Sequence, residues 1–255
     1  MQNNNFRLIA RLDIKMDFLI KGVQMEGWRK VGDPVTFAKE YAHKGADELL
    51  FMDVVASLYQ RNNLHHILEK VAQNIFIPMT VGGGVRSVKD VKELLAKGAD
   101  KVALNTAATQ TPQLIKEISE EFGSQATVVS IEAMQHAPGR WQALTDNGRN
   151  NTGRDVIEWA QEAEARGAGE IIATSIAYEG IGKGFDTELA AQLSRSVSIP
   201  VVASGGLGAE RHLTELINKS GISAAATAQA LHWDKVPLEK LRETLLQQGK
   251  YVRTL

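Results

Sequence analysis

Short apolar segments alternate with amphipathic segments along the whole chain. Most apolar segments have no regular alternation of polar positions, which is typical of strands buried on both faces of a parallel sheet. Eight segments have this character: residues 8–12, 48–53, 75–81, 101–105, 126–131, 170–175, 200–204 and 224–228. Strands that alternate with helices along the chain predict an α/β fold.

The amphipathic segments begin and end with helix signals. In segment 33–45, Asp33 suits the N-cap, Pro34 suits the first helical turn, and Gly45 can end the helix. The same arrangement recurs in residues 87–98 and 111–123. Because no linker or low-complexity stretch interrupts the alternation, we predict a single domain over residues 1–255.

The chain also repeats itself at an offset of about 120 residues. The clearest pairs are "GADELLFMDV" (45–54) with "GAGEIIATSI" (167–176), and "IPMTVGGGV" (77–85) with "IPVVASGGL" (199–207). A doubled unit of four strand–helix pairs predicts a closed (β/α)8 TIM barrel. Its two half-barrels would cover roughly residues 1–123 and 124–255. An open, doubly wound sheet is the alternative, and it does not naturally produce two equivalent halves.

Composition narrows the classes of partner. The chain has 255 residues, a hydrophobic fraction of 44%, a formal net charge of -1 and no cysteine. Near-neutral charge gives no electrostatic reason to expect nucleic acid or an anionic membrane as a partner. The lack of cysteine excludes disulfides and thiolate metal sites.

The sequence also gives expectations for the cellular location of the protein and for metals and cofactors. The N-terminal segment is short and polar, and no apolar run approaches the ~18 residues of a membrane span, so we expect a cytoplasmic protein. His65 and His66 are adjacent on a predicted helix and point about 100° apart, which argues against a shared metal site. No cofactor and no metal are expected.

A glycine-rich turn follows the third predicted strand. Gly83 and Gly84 present bare backbone N–H groups next to a helix start, an arrangement that suits a phosphate group. Asn105 and Thr106 follow the next strand and can donate from their side chains. The alternative is that the glycines only make a tight strand-to-helix turn.

The repeat places a second glycine turn after the seventh strand, at Gly205 and Gly206. Two related anion sites at one barrel mouth favour a substrate with a phosphate at each end. Gln229, after the last strand, is bulky where a small donor is expected and weakens this second site. Glu179 and Gly180 on the strand-six loop complete this half of the mouth.

Charged residues at strand ends are the candidates for chemistry. Asp13 ends the first strand and Glu132 ends the fifth, so the repeat makes them counterparts across the mouth. Paired carboxylates suit general acid–base catalysis when their environments separate their pKa values. The alternative reading is a solvated turn acid or a helix cap. Lys21, on the long first loop, can clamp a phosphate or the reacting intermediate.

These residues lie in motifs that extend over essentially the whole chain. The motifs, in order, are "RLIARLDIK", "DELLFMD", "TVGGGV", "GADKVALNTAA", "FGSQATVVSIEA", "NTG", "RGAGEI", "GFDTE" and "ASGGLG". They resemble the cyclase subunit of imidazole glycerol phosphate synthase, an enzyme of histidine biosynthesis. In that family a (β/α)8 barrel forms a heterodimer with a class I glutaminase and takes ammonia from it.

The resemblance implies a reaction and a set of roles. The barrel closes an imidazole ring on a bis-phosphorylated ribonucleotide, and releases imidazole glycerol phosphate and an aminoimidazole carboxamide ribotide. The family's catalytic pair falls on Asp13 and Glu132, and its phosphate loops fall on the two glycine turns. A charged ring through which ammonia enters falls on Arg7, Glu48, Lys101 and Glu170. Asp100 falls on a position that faces the glutaminase.

Several residues at the mouth depart from the family pattern. Glu132 stands where the family typically has aspartate, and Gln229 weakens the second phosphate site. Ala177 begins the strand-six loop where the family typically has an acid. Arg11 replaces a small residue two positions before Asp13, and a side chain directed inward would pair with a carboxylate and lower its pKa.

The departures leave two functions open. The first is the glutaminase-coupled cyclase of histidine biosynthesis. The second is a paralogous ammonia-channelling subunit that supplies a sugar-amidating enzyme in surface polysaccharide synthesis. The retained entrance residues suit both functions. Asp13, Lys21 and the first glycine turn favour the cyclase, whereas Glu132, Arg11, Ala177 and Gln229 favour the channelling subunit. We expect the cyclase, with the channelling subunit as the alternative.

Overall fold

Eight parallel strands form a closed barrel in a computed structural model that describes residues 5–56 and 64–253. The barrel strands, in ring order, are β1 (Arg7–Lys15), β4 (Glu48–Asp53), β5 (Met79–Gly82), β6 (Lys101–Leu104), β7 (Thr127–Ala137), β10 (Glu170–Ser175), β11 (Val201–Ser204) and β12 (Ala224–Thr227). The ring closes where β12 pairs in parallel with β1, with Ala224 opposite Arg7. The predicted (β/α)8 barrel is confirmed.

Helices cover the outside of the barrel. They are α1 (Pro34–His43), α2 (His65–Ala72), α3 (Val88–Ala96), α4 (Thr106–Gln110), α5 (Gln113–Phe122), α6 (Val156–Ala165), α7 (Thr187–Ser196), α8 (Glu210–Ser220), α9 (Gln229–His232) and α10 (Leu238–Gln247). Asp33 caps α1 by accepting a hydrogen bond from the backbone N–H of Thr36, and Ser87 caps α3 through Asp90. The predicted start signals are therefore confirmed at both helices.

One strand begins later than its apolar run. The run starts at Ile75, but β5 starts at Met79, directly after Pro78. Proline has no backbone N–H to donate to a neighbouring strand, so the ladder begins beyond it. Ile75 is still buried, in the apolar layer that packs against the barrel.

Two antiparallel hairpins were absent from the sequence prediction. The first consists of β2 (Phe18–Val23) and β3 (Glu26–Gly32) and extends β1. The second consists of β8 (Arg140–Thr145) and β9 (Asn150–Asp155) and extends β7. β1 and β7 are four places apart in the eight-strand ring, so the hairpins rise from opposite sides of the mouth.

The core has two apolar layers. Inside the barrel, side chains from successive strands fill the axis: Ile9, Leu50, Ala103, Val128, Ile172, Val202, Ala224 and Ala226. A larger layer lies between the barrel and the helices. The interior is therefore packed rather than open, as is usual in such barrels, and a site has to lie at one end.

Within residues 5–56 and 64–253, no helix combines the length and the apolar character that a membrane crossing requires. The division into half-barrels at residues 123 and 124 stays a prediction.

Candidate active site

The two predicted catalytic carboxylates lie on opposite sides of the barrel mouth. Asp13 lies near the carboxyl end of β1, where its backbone pairs with Met52 of β4. Glu132 lies on β7, where its backbone pairs with Thr174 of β10. Because β1 and β7 are four strands apart in the ring, the side chains approach the axis from opposite directions.

A cavity of about 450 Å³ opens at this end of the barrel. Its wall brings together five of the predicted site residues, which are Gly83, Gly84, Asn105, Thr106 and Glu132. Both glycines have positive φ angles, of 98° and 74°. At Gly83 a side chain is excluded as well, because a Cβ would lie 2.2 Å from the carbonyl oxygen of Asp53.

Glu132 is buried, yet it reaches the cavity. Burial raises the pKa of its carboxyl group to about 7, although a hydrogen bond from the backbone N–H of Gly148 and the charge of Arg11 act in the opposite direction. The Gly148 nitrogen lies 2.7 Å from Oε2. A carboxyl group with this pKa exists in both protonation states near neutral pH and can give or take a proton.

Asp13 has a contrasting environment. Its side chain is 1% exposed and is absent from the wall of the cavity. Arg11 Nε donates to Oδ1 at 2.8 Å, and Lys21 Nζ donates to Oδ2 at 3.1 Å. Burial alone would raise the pKa of Asp13, but the two cations outweigh it and hold that pKa far below its usual range. Asp13 is therefore ionised at neutral pH.

Arg11 points into the barrel, which confirms the predicted pairing with a carboxylate. Its Nη1 donates to Thr174 Oγ1 at 2.8 Å and to Ser204 Oγ at 3.1 Å. Burial disfavours the charged guanidinium, but Asp13 and Glu179 outweigh this effect and raise the pKa of Arg11. The side chain lines both the large cavity and a small crevice near β11, so it forms part of the wall between them.

The second glycine turn lies at that crevice. Gly205, Gly206, Glu179 and Gly180 line it together with Gln229, but its volume is only about 10 Å³. This is about the volume that one water molecule needs, and a phosphate group is larger. The structure therefore places the predicted residues together without providing room for a second phosphate in this conformation.

Lys21 lies beside this closed half of the mouth. Its ammonium group bonds to Glu179 as well as to Asp13. Burial would lower the pKa of Lys21, but Glu179 and Asp13 together raise it. The side chain is 4% exposed and does not line the large cavity, so the structure shows an internal ion pair where the sequence predicted a phosphate clamp.

The predicted entrance residues form a closed ring at the opposite end of the barrel. Arg7 pairs with Glu48 at 2.7 Å and with Glu170, and Lys101 lies 3.1 Å from Glu48 and 2.9 Å from Glu170. Each cation thus contacts both acids. Burial opposes ionisation of Glu48, but the charges of Arg7 and Lys101 outweigh it and lower its pKa.

Asp100 lies next to this ring, directly before β6. The residue is exposed, and its Oδ2 accepts a hydrogen bond from the backbone N–H of Met79 at 2.8 Å. Asp47 makes the same kind of contact to the N–H of Leu8. Part of the role of Asp100 is therefore to tie β5 and β6 together at their starts.

The sequence did not single out several residues of the cavity wall, among them the acids Asp53 and Asp146 and the amide Asn147. Asp146 and Asn147 come from the unpredicted hairpin of β8 and β9, which the sequence gave no reason to place over the mouth. Asp53 is the last residue of β4 and lines the cavity. Its position at a strand end, which singled out Asp13 and Glu132, could have identified it from the sequence as well.

Comparisons with known proteins agree with this geometry. A family model described as "Histidine biosynthesis protein" matches residues 7–237. The imidazole glycerol phosphate synthase subunit HisF of Legionella pneumophila is 60% identical over 205 residues, which cover 80% of this chain and 97% of that relative. The chain belongs to the histidine biosynthesis protein family.

Proposed function

We propose that this protein is the cyclase subunit of an imidazole glycerol phosphate synthase. The observation that carries the proposal is the cavity at the carboxyl end of the barrel, where the Gly83–Gly84 turn meets Glu132 with its pKa of about 7. A phosphate on the glycine turn leaves the rest of a phosphorylated substrate next to a group that transfers protons at neutral pH. The 60% identity to a HisF subunit supports the same reaction.

Glu132 is the proposed proton-transfer residue. Closing an imidazole ring with ammonia requires protons to leave nitrogen and to reach a leaving oxygen. A group with a pKa near the working pH can both accept and donate a proton. General acid–base catalysis of this kind typically raises the rate 10²- to 10⁴-fold. Asn105 and Thr106, beside Glu132 in the cavity wall, are the proposed donors to the phosphate or to the developing charge.

A catalytic role for Asp13 stays a prediction, and it requires a change in the contacts of its carboxylate. Both of its oxygens are bonded to cations, and the side chain does not line the cavity. Asp13 would reach a substrate only after Arg11 moved. In the present arrangement it acts as a positioning residue, because its charge holds Arg11 at the wall of the cavity.

The partner proposed for the opposite face is a class I glutaminase. A ring of two cations and two acids suits a gate, because Lys101 can give up one of its two acid contacts while Arg7 keeps both acids paired. The cluster around Ile9, Leu50 and Val128 forms an apolar layer above the ring, and such a layer favours neutral ammonia over ammonium. Cytoplasmic localisation is proposed with this role and is checked by cell fractionation.

The ammonia-channelling paralogue is the less favoured function. It shares the entrance ring, and the closed second phosphate turn suits it, but the curated relative that matches over most of the chain is named as a synthase subunit. The two functions differ in one measurable property, which is ring closure without any partner.

The test is turnover with the bis-phosphorylated ribonucleotide and excess ammonium salt, with the glutaminase omitted. Wild type should form imidazole glycerol phosphate, and Glu132→Gln should lower the rate at least 100-fold. Asp13→Asn reports whether Asp13 takes part. Glu93→Gln removes a partly exposed acid that does not line the cavity, and it should match wild type. A wild type with no turnover would overturn the proposal in favour of the channelling subunit.

A further inference from the structure

One nitrogen of the buried Arg11 guanidinium carries two N–H donors that no described residue accepts. The side chain is 5% exposed and points into the barrel, on the same face of β1 as Ile9 of the axial apolar cluster. Nε and Nη1 together donate to Asp13, Thr174 and Ser204. Nη2 donates to no residue within the ranges 5–56 and 64–253.

The unbonded nitrogen is open to the space at the barrel mouth. In the part of the chain that the structure describes, it is not among the buried side-chain atoms that lack a partner, so it is not sealed inside the protein. Arg11 lines the cavity of about 450 Å³ and also the crevice of about 10 Å³ at the Gly205–Gly206 turn. Of these two spaces, only the large cavity has room for a ligand group that accepts from Nη2.

The charge of Arg11 determines which ligand group suits this nitrogen. Asp13 and Glu179 raise the pKa of Arg11 against the effect of burial, so the guanidinium is charged at neutral pH. An anionic oxygen is the strongest acceptor for such a donor, and a phosphate matches the planar fork of its N–H groups.

The acids beside Arg11 do not repel such an anion. Asp13 pairs with both Arg11 and Lys21, and Glu179 pairs with Lys21. Two cations and two carboxylates in one group cancel each other's charge. An incoming phosphate therefore meets a neutral cluster with unused donors.

The position of Arg11 relates it to the second end of a substrate with two phosphates. The Gly83–Gly84 turn lies in the wall of the large cavity and can take the first phosphate. The Gly205–Gly206 turn lies behind a crevice that is too small for another. Because Arg11 stands in the wall between these two spaces, a second phosphate in the large cavity reaches Arg11 before it reaches the closed turn.

We infer that Arg11 binds the second phosphate of a bis-phosphorylated substrate through Nη2, in front of the closed Gly205–Gly206 turn. Arg11 is then a specificity-determining residue, which selects a ligand with two anionic ends over a ligand with one. The inference rests on the proposed function, because that function supplies the two-ended substrate. It gives a role to a residue by which this chain departs from the pattern of its family.

The experiment compares α,ω-alkanediol bisphosphates of increasing chain length with alkyl monophosphates of the same lengths. Each is titrated into the full chain by calorimetry, and amide spectra report which turn responds. At the length that fits best, wild type should bind the bisphosphate roughly 10- to 100-fold more tightly than the monophosphate, the range for hydrogen bonds to a charged group.

Arg11→Met is the test variant, because it keeps an unbranched side chain and removes the charge and the donors. Its preference for the bisphosphate should fall to about twofold, the statistical advantage of a ligand with two equivalent ends. The monophosphate should still bind at Gly83–Gly84. If the loss of Arg11 prevents folding, Asp13→Asn and its combination with Arg11→Met decide the question. Asp13→Asn retains Arg11 and should keep the preference, whereas the combination removes the ion pair as a unit and should lose it.

Lys183→Met is the matched control for the loss of one positive charge at the mouth. Lys183 is an exposed cation on the loop after β10, and it lines neither the large cavity nor the crevice. This variant should keep the preference for the bisphosphate.

Four results would overturn the inference. They are equal binding of bisphosphate and monophosphate to wild type at every length, an unchanged preference when Arg11 is replaced, loss of monophosphate binding in Arg11→Met, and loss of the preference in Lys183→Met. The turnover assay distinguishes these from failure of the proposed function. If wild type turns over the ribonucleotide but shows no preference between the probes, the function stands and the role of Arg11 falls.

Discussion

The raised pKa of Glu132 makes the stability of the protein depend on pH in a direction opposite to that of most acids. The unperturbed value is 4.5 and the value in the folded protein is about 7. Below pH 4.5 the group is protonated in both folded and unfolded states, and its favourable contribution is complete. Between pH 4.5 and 7 the unfolded chain releases the proton first, so the contribution is lost progressively and is absent above pH 7.

The size of this effect follows from the two pKa values. At 1.36 kcal/mol per pKa unit, the difference between 4.5 and about 7 corresponds to about 3 kcal/mol of unfolding free energy. The exposed fraction of Glu132 is only 8%, so solvent screening reduces the figure little. Glu132→Gln removes the titration and keeps an acceptor for the backbone N–H of Gly148.

The assay is urea denaturation of wild type and Glu132→Gln at intervals from pH 4.5 to 8. The variant should gain about 3 kcal/mol relative to wild type across this range, with the change concentrated below pH 7. Other titrating groups affect both proteins equally and cancel in the difference. Glu93→Gln controls for the loss of one acid outside the cavity wall. A flat difference for Glu132→Gln would refute the buried, protonatable carboxyl group and the catalytic argument built on it.

Two further predictions concern the wall of the cavity and the opposite face. Arg11→Ala removes one partner from a buried ion pair, and denaturation should show a loss of about 3–5 kcal/mol; a loss below about 1 kcal/mol would contradict the ion network of Asp13. Asp100→Lys should abolish co-purification with the glutaminase while leaving the barrel folded by circular dichroism. Asp100→Asn keeps the acceptor for the N–H of Met79 and should weaken association less, whereas unchanged binding of the Lys variant would place the interface elsewhere.

The sequence alone determined the architecture. Strands buried on both faces have to be apolar throughout, so their positions are visible in any one segment without knowledge of the others. The internal repeat then supplied the count of eight and the pairing of Asp13 with Glu132 across the ring. The helix starts at Asp33 and Ser87 were also predictable from a short segment, because a capping side chain bonds a backbone N–H only three positions away.

The apolar pattern did not reveal the two hairpins, because their outer strands bury no residue. β3 and β9 carry mostly polar residues, and no residue of either strand is buried. Their strand conformation comes from pairing with β2 and β8, which continue the barrel strands β1 and β7. A pattern of apolar positions therefore gives no signal there, and the hairpin residues of the cavity stayed hidden.

Only the tertiary structure decided the charge state and access of each site residue. Arg11 and Thr174 are 163 positions apart in the chain, yet their contact helps place a guanidinium between the open cavity and the closed second turn. The opposite pKa shifts of Asp13 and Glu132 arise from neighbours and burial, which spacing along a chain does not encode. Local patterns specify which segments form strands and helices, whereas electrostatics depends on groups that meet only when the barrel closes.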